Sequence, residues 1–210
     1  MKSAASLKGK LKQLAKEKDI NASILMQNYM FERFLDRVSN SNYKRNFVIK
    51  GGMLISSIFG VDLRATRDLD ATIKGIKINK VIAEQMINDI IRIDLKDNIV
   101  FTINKIESIR LKNIHEGYKI SLVASFEGIN VFIDIDITTG DEITYKEISY
   151  EYKTMLDNEK IKILAYNNET IIAEKYETII SRNISNTRMK DFYDLYLFLK
   201  IKWELSTLNF

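Results

Sequence analysis

The sequence has no cysteine, no proline and a single histidine, His115. Without cysteine there is no disulfide framework, no thiolate zinc site and no thiol nucleophile. One histidine cannot supply a multi-histidine metal cage. No apolar run approaches the roughly 20 residues that span a bilayer. The opening "MKSAASLKGKLKQLAKEKDI" lacks the apolar centre of a signal peptide. These absences lead us to expect a soluble, cytoplasmic protein with no membrane partner. The missing proline, set beside abundant Ile, Asn and Lys, reads as nucleotide bias in the source genome and carries no function.

What is present is ordinary for a globular chain. The 210 residues are 46% hydrophobic and 29% charged, enough for one domain, or one domain with a helical appendage, and for a real core. The formal net charge of +4 is compatible with a polyanionic partner without specifying one.

Helical periodicity covers about Leu7–Lys18 and Ala22–Val38, with Leu25, Tyr29, Phe34 and Leu35 at apolar positions. "NFVIK" reads as a buried strand, "GMLISSIFG" as a helix opened by Gly51-Gly52 and closed by Gly60, and "DLDATIKG" as a second strand. The segment "INKVIAEQMINDIIRI" reads as an amphipathic helix. "IVFTINKI", "YKISLVASF" and "NVFIDIDIT" alternate as strands, with "EGIN" as the turn between the last two. "EISYEYKTM" and "KIKILAY" add further candidate strands. "ETIIAEKYETIISR" and "TRMKDFYDLYLFLK", linked by "NISN", return to helical period. This order predicts an α+β fold, with N-terminal helices and an α/β core over residues 1–167 and a helical lobe over 168–210.

Asp68 and Asp70 share one face of their strand, and so do Asp134 and Asp136, opposite an apolar face of Val131, Ile133, Ile135 and Ile137. If the two strands were neighbours, three or four carboxylates would converge. A divalent cation such as Mg2+ or Mn2+ would offset their repulsion and hold a triphosphate. A lone Asp-x-Asp pair is read more readily as solvated positions on an open sheet face. Gly51-Gly52, between strand and helix, lets the backbone approach a ligand at a phosphate-favouring helix N-terminus, though alone it is more often a turn. Lys50 precedes it, and Arg64, Thr66 and Arg67 follow in the next loop as further phosphate contacts or solvated loop residues.

On the wheel of "ETIIAEKYETIISR", Ile171, Ile172, Tyr176, Ile179 and Ile180 form the expected apolar face, with Lys175 near its middle. A lysine there either snorkels or meets a charge inside. In the last helix Phe192, Leu195, Tyr196 and Leu199 form the expected buried stripe. Lys190 and Asp194 lie one turn apart on the other side, and Asp191 at the border.

"FVIKGGMLI", "RATRDLD", "IDITTGD" and "AYNNETIIAEKYETIISRNISNTRMKDFYDLYLF", in that order, resemble the AbiEii/AbiGii-type nucleotidyltransferase toxin family. The N-terminal helical segment fits the same family, so the resemblance covers nearly the whole chain. It implies a DNA polymerase β-like nucleotidyltransferase fold, a mixed sheet flanked by helices. It implies Asp68 and Asp70 as the metal-binding pair and Asp136 as the third carboxylate, ahead of Asp134, with Asp141 shaping the turn. It implies that Lys175, Lys190, Asp191 and Asp194 bind nucleotide and complete the site. The expected toxin of a toxin–antitoxin or abortive-infection (phage-defence) system is paired with an antitoxin. It would move a nucleotide from a nucleoside triphosphate to an RNA 3′ end, tRNA above all. The alternatives are transfer to a protein or small molecule, and a non-catalytic triphosphate-binding module acting through the antitoxin. The wider superfamily has Gly-Ser and a shorter gap before its aspartates. This chain has Gly-Gly and a longer one, as the toxin family does, and it ends soon after "KDFYD", where many relatives continue.

Overall fold

The computed structural model describes residues 3–111, 115–182 and 187–207. The chain divides into two compact units, one of Met1–Glu142 with Glu147–Ala165, the other of Ile143–Lys146 with Tyr166–Phe210. The "NISN" link lies outside the described residues.

In the first unit the elements are α1 (Ala4–Lys18), α2 (Ala22–Ser39), β1 (Phe47–Lys50), α3 (Gly51–Phe59), β2 (Asp68–Ile73), α4 (Lys80–Ile91) and β3 (Val100–Leu111). After them come β4 (His115–Phe126), β5 (Ile129–Thr138), β6 (Ile148–Lys153) and β7 (Lys160–Ala165). Their starts are written locally. The side chains of Ser3, Asn21 and Asn79 accept from backbone N–H groups at the N-termini of α1, α2 and α4. At the β4–β5 hairpin Glu127 and Gly128 both have positive φ, 43° and 80°, the two left-handed residues that a tight turn with the right twist requires.

The seven strands form one mixed sheet in the order β3-β4-β5-β2-β1-β7-β6. β2 pairs parallel with β5 and β1 parallel with β7; the other pairs are antiparallel. Strand alternation sends Leu69, Ala71, Ile133, Ile135, Ile137, Phe47 and Ile49 to one face, where each is buried. Helix α2 lies against β5 and β7 and is flanked by α1 and α4. The opposite face carries the aspartates.

One charged device fixes α2 on the core. Arg37, 1% exposed, donates through Nη1 and Nη2 to the Asp97 carboxylate at 2.9 and 2.7 Å. It also donates to the carbonyl oxygens of Ile99 and Arg33 at 2.9 and 3.0 Å and stacks over Phe101. Burial costs both charges their hydration, and the fork geometry with four acceptor contacts offsets that cost.

In the second unit α5 (Asn168–Arg182) and α6 (Met189–Thr207) pack together, on faces that correct the wheel reading. Tyr176 and Ile180 are 56% and 69% exposed, and Phe192, Tyr196 and Leu199 are 45%, 54% and 66% exposed. Of the predicted positions Ile171 is buried, and with it, among the described side chains of these helices, Thr170, Asp191, Asp194 and Leu197. Lys175 Nζ lies 2.7 Å from Asp191 Oδ1 and 2.9 Å from Asp194 Oδ2. One ammonium held by two carboxylates turns both helices toward their charged sides and leaves much of the apolar stripe outside.

Arg37→Ala leaves the largely buried Asp97 carboxylate without its cation, held only by the Ile99 N–H. The expected loss is about 3 kcal/mol of unfolding free energy, measured by urea denaturation; a loss below about 1 kcal/mol would contradict this reading.

Candidate active site

The parallel β2–β5 pairing sets Asp70 directly beside Asp136 and Asp68 beside Asp134. The neighbouring strands extend this row at both ends. Lys50 of β1 is the cross-strand partner of Asp70, and Lys119 of β4 is the partner of Asp136. The polar face therefore reads lysine, carboxylate, carboxylate, lysine across four strands. The convergence that was conditional in the sequence is realised in the sheet.

Each group has a definite hold. Lys119 Nζ lies 2.9 Å from Asp136 Oδ1 and 3.9 Å from Asp134 Oδ2. Ser121 Oγ donates to Asp134 Oδ1 at 2.6 Å, and Thr66 Oγ1 donates to Asp68 Oδ1 at 2.6 Å. Lys50 Nζ pairs with Asp141 at 2.6 Å, and the hydroxyls of Thr72 and Thr138 donate to the same carboxylate. Asp141 thus ties β1, β2 and β5 together at the end of the row.

Burial, then the negative charges of Asp68 and Asp136, push the Asp70 carboxyl up to about 6, against the pull of Lys50 and the Gly52 N–H. Burial also raises Asp136, with Lys119 opposing and Asp68 and Asp134 adding to the rise. For Lys119 burial works against the ammonium, but Asp136, Asp134 and Asp68 outweigh it and hold its pKa above the usual lysine value.

The glycine turn is built around Asp70. Gly51 has φ +63°, and a Cβ there would overlap the Asp70 carboxylate. At Gly52 a Cβ would sit 2.5 Å from Thr66 Oγ1 and 3.5 Å from Arg64 Nη2. Arg64 and Thr66 are 8% and 3% exposed. They are packed against the N-terminus of α3 instead of lying in an open loop, whereas Arg67 is exposed.

Lys175, Asp191 and Asp194 belong to the second unit, as described. There burial opposes the Lys175 charge but Asp191 and Asp194 raise its pKa, and the trio carries one net negative charge. Asp191 Oδ2 is buried without a hydrogen-bond partner among the described residues. Lys190 stands exposed on α6.

Asp68, Asp70 and Asp136 offer hard oxygen donors whose mutual repulsion is offset only in part by flanking lysines, a donor set that fits a divalent cation. Among the described residues no three His, Asp or Glu side chains are closed into a preformed metal-binding group. The carboxylates lean on Thr66, Ser121 and Lys119 instead.

A family model described as nucleotidyl transferase AbiEii toxin, type IV TA system, matches residues 33–209. The chain belongs to this AbiEii family. It is a nucleotidyltransferase of the type IV toxin–antitoxin class, and membership implies a nucleoside triphosphate substrate, a divalent metal of the general nucleotidyltransferase kind and a cognate antitoxin. Two solved structures share its fold. One, an H. pylori protein provisionally described as a nucleotidyltransferase, has a TM-score of 0.51 at 14% identity over 86% of this chain and 70% of that one. The other, JHP933 from Helicobacter pylori, has a TM-score of 0.52 at 13% identity over 86% and 67%. No protein of curated function matches the chain in sequence. In this AbiEii chain no helix among the described residues is long and apolar enough to cross a membrane.

Lys119 and Ser121 were missed in the sequence. Their signal was present: the alternation of "YKISLVASF" puts both on one face, and the "EGIN" turn makes that strand the hairpin partner of "NVFIDIDIT", which sets Lys119 beside Asp136 and Ser121 beside Asp134.

The raised Asp70 pKa has a stability sign. The ordinary aspartate value is 3.8 and the folded value about 6, so folding takes up a proton between them and stability falls as pH rises through that window. Asp70→Asn removes this loss. At pH 7.5 without divalent ions the variant is expected to melt a few degrees above the parent protein; a lower melting temperature would contradict the crowded-carboxylate reading.

Proposed function

We propose that this AbiEii toxin transfers a nucleoside monophosphate from a nucleoside triphosphate to the 3′-hydroxyl of RNA, with tRNA the acceptor, and that Mg2+ serves the reaction. The observation that carries this reading is the lysine-flanked carboxylate row, packed directly under the Gly51-Gly52 turn.

Asp68, Asp70 and Asp136 would hold one or two Mg2+. Bound there, Mg2+ supplies charge neutralisation of the triphosphate and polarises the attacking oxygen. The α3 N-terminus, opened by Gly51 and Gly52 and backed by Lys50, Arg64 and Thr66, receives phosphate oxygens through its backbone N–H groups and dipole. Asp136 takes the proton of the RNA 3′-hydroxyl as its oxygen bonds to the α-phosphorus. The bond from the α-phosphorus to the bridging oxygen breaks, and pyrophosphate leaves with both electrons of that bond. From the second unit we assign Lys175, Asp191, Asp194 and Lys190 to nucleotide contact. The negative trio suits donors of the nucleoside better than a bare phosphate, and Lys190 supplies the free positive charge.

In the cell we place the toxin in the cytoplasm, in phage defence, restrained by an antitoxin encoded alongside. Transfer to a protein or small molecule is the competing reading, because a fold does not fix its acceptor.

Purified protein incubated with total tRNA, Mg2+ and each α-labelled nucleoside triphosphate in turn is expected to label tRNA. Asp68→Ala should lose at least about a hundredfold in rate, the scale set by losing one electrostatic group at a phosphoryl-transfer centre. Label entering only protein, or no RNA fraction at all, would overturn the RNA reading.

A further inference from the structure

The glycine turn continues β1 past Lys50, the partner of Asp70, and lies on the β1 side of β2, over Asp70 and beside Thr66. On the β5 side of β2, a groove of about 520 Å3 lies between α1, α2 and the start of β5. Lys8 and Lys12 of α1, Arg67 ahead of β2 and Phe132 of β5 line it, with Met26 and Gln27 from α2. No carboxylate is among the lining residues.

Three features of this groove are unusual together. Lys8, Lys12 and Arg67 are exposed, and among the described residues none is paired with a carboxylate. Phe132 is 60% exposed, on a strand whose other face is core. By strand alternation it shares its face with Asp134 and Asp136, about 7 Å from the first along the chain. Its backbone is not loose, because the Phe132 carbonyl accepts from Gln27 Nε2 at 3.0 Å. A solvent-facing aromatic ring on a pinned backbone, among unpaired cations and on one face with the strand's carboxylates, is the chemistry that holds a single nucleic-acid strand: bases stack on the ring and phosphates follow the cations.

We propose that this groove binds the unpaired 3′ end of the RNA acceptor, Phe132 stacking a terminal base while Lys8, Lys12 and Arg67 hold backbone phosphates. The inference rests on the RNA reading and extends it: the triphosphate enters on the β1 side of β2, at the glycine turn, and the acceptor strand on the β5 side.

The test uses the full chain and a fluorescently labelled single-stranded oligoribonucleotide, with binding followed by anisotropy across a range of salt concentrations. Nucleoside triphosphate binding is measured in parallel. Phe132→Ala is expected to weaken RNA binding about tenfold and Phe132→Trp to preserve it, with triphosphate affinity unchanged in both. Replacing Lys8, Lys12 and Arg67 together by Ser should lower the slope of log affinity against log salt by about 2, three phosphate contacts at roughly 0.7 each. All of these side chains are exposed, so folding is not at stake. If the parent protein binds and labels RNA while these variants do so with unchanged affinity and slope, the groove assignment falls and the RNA reading stands. Should the parent protein bind no RNA at all, both fall. If the variants lose only antitoxin binding, the groove belongs to that protein partner and the proposal is overturned.

Discussion

Placing like charges side by side on one sheet face is unfavourable, and the polar face of this fold is organised around that repulsion. Register in a parallel pair leaves no freedom: once β2 and β5 are neighbours, Asp70 must lie beside Asp136 and Asp68 beside Asp134. The surrounding groups follow from this constraint. Lys119 compensates on one side and Lys50, itself held by Asp141, on the other. Thr66 and Ser121 donate to the outer carboxylates. The Gly51-Gly52 turn closes over Asp70 because any side chain at Gly51 would collide with it. Such an arrangement has higher free energy than neutral isosteres would have, and the binding of a cation is what would relieve it.

The same constraint separates stability from function within one sheet. On the apolar face, Leu69, Ala71, Ile133 and Ile135 are fully buried or nearly so, and the Arg37–Asp97 fork holds α2 against them. Strand alternation delivers both faces from the same residues: every second side chain of β2 and β5 builds the core while its neighbours crowd charge. Destabilisation on one face is offset by packing on the other, as expected where a protein pre-organises a binding site.

Most of the first unit was legible because its signals are local. Period-two alternation marked "NVFIDIDIT", and the two glycines marked the start of α3, since both depend on neighbouring residues only. The pairing of β2 with β5 was not local. It is a crossover relation between segments some 60 residues apart, and no spacing within either strand encodes it. Lys119 was overlooked although its signal is local: the "EGIN" turn pairs its strand with β5, and counting back from that turn sets it beside Asp136. In the second unit the wheel failed at five positions for a different reason. Counting apolar positions predicted Tyr176, Ile180, Phe192, Tyr196 and Leu199 as the inner face, yet they are exposed. A buried lysine reaching two aspartates decides the orientation instead, and a hydrophobic stripe carries no information about such a pairing. Of the two alternatives open for Lys175, snorkelling or meeting a charge inside, the second is realised.

The central claim is that Asp68, Asp70 and Asp136 form the metal and triphosphate centre of this nucleotidyltransferase. It is tested most directly by a crystal structure of the protein with Mn2+ and a non-hydrolysable nucleoside triphosphate, collected for anomalous scattering. The account predicts one or two anomalous peaks between these three carboxylates, with the phosphates lying over the Gly51-Gly52 turn. Manganese bound elsewhere, with Lys119 still seated on Asp136 and no ion on Asp70, would contradict it.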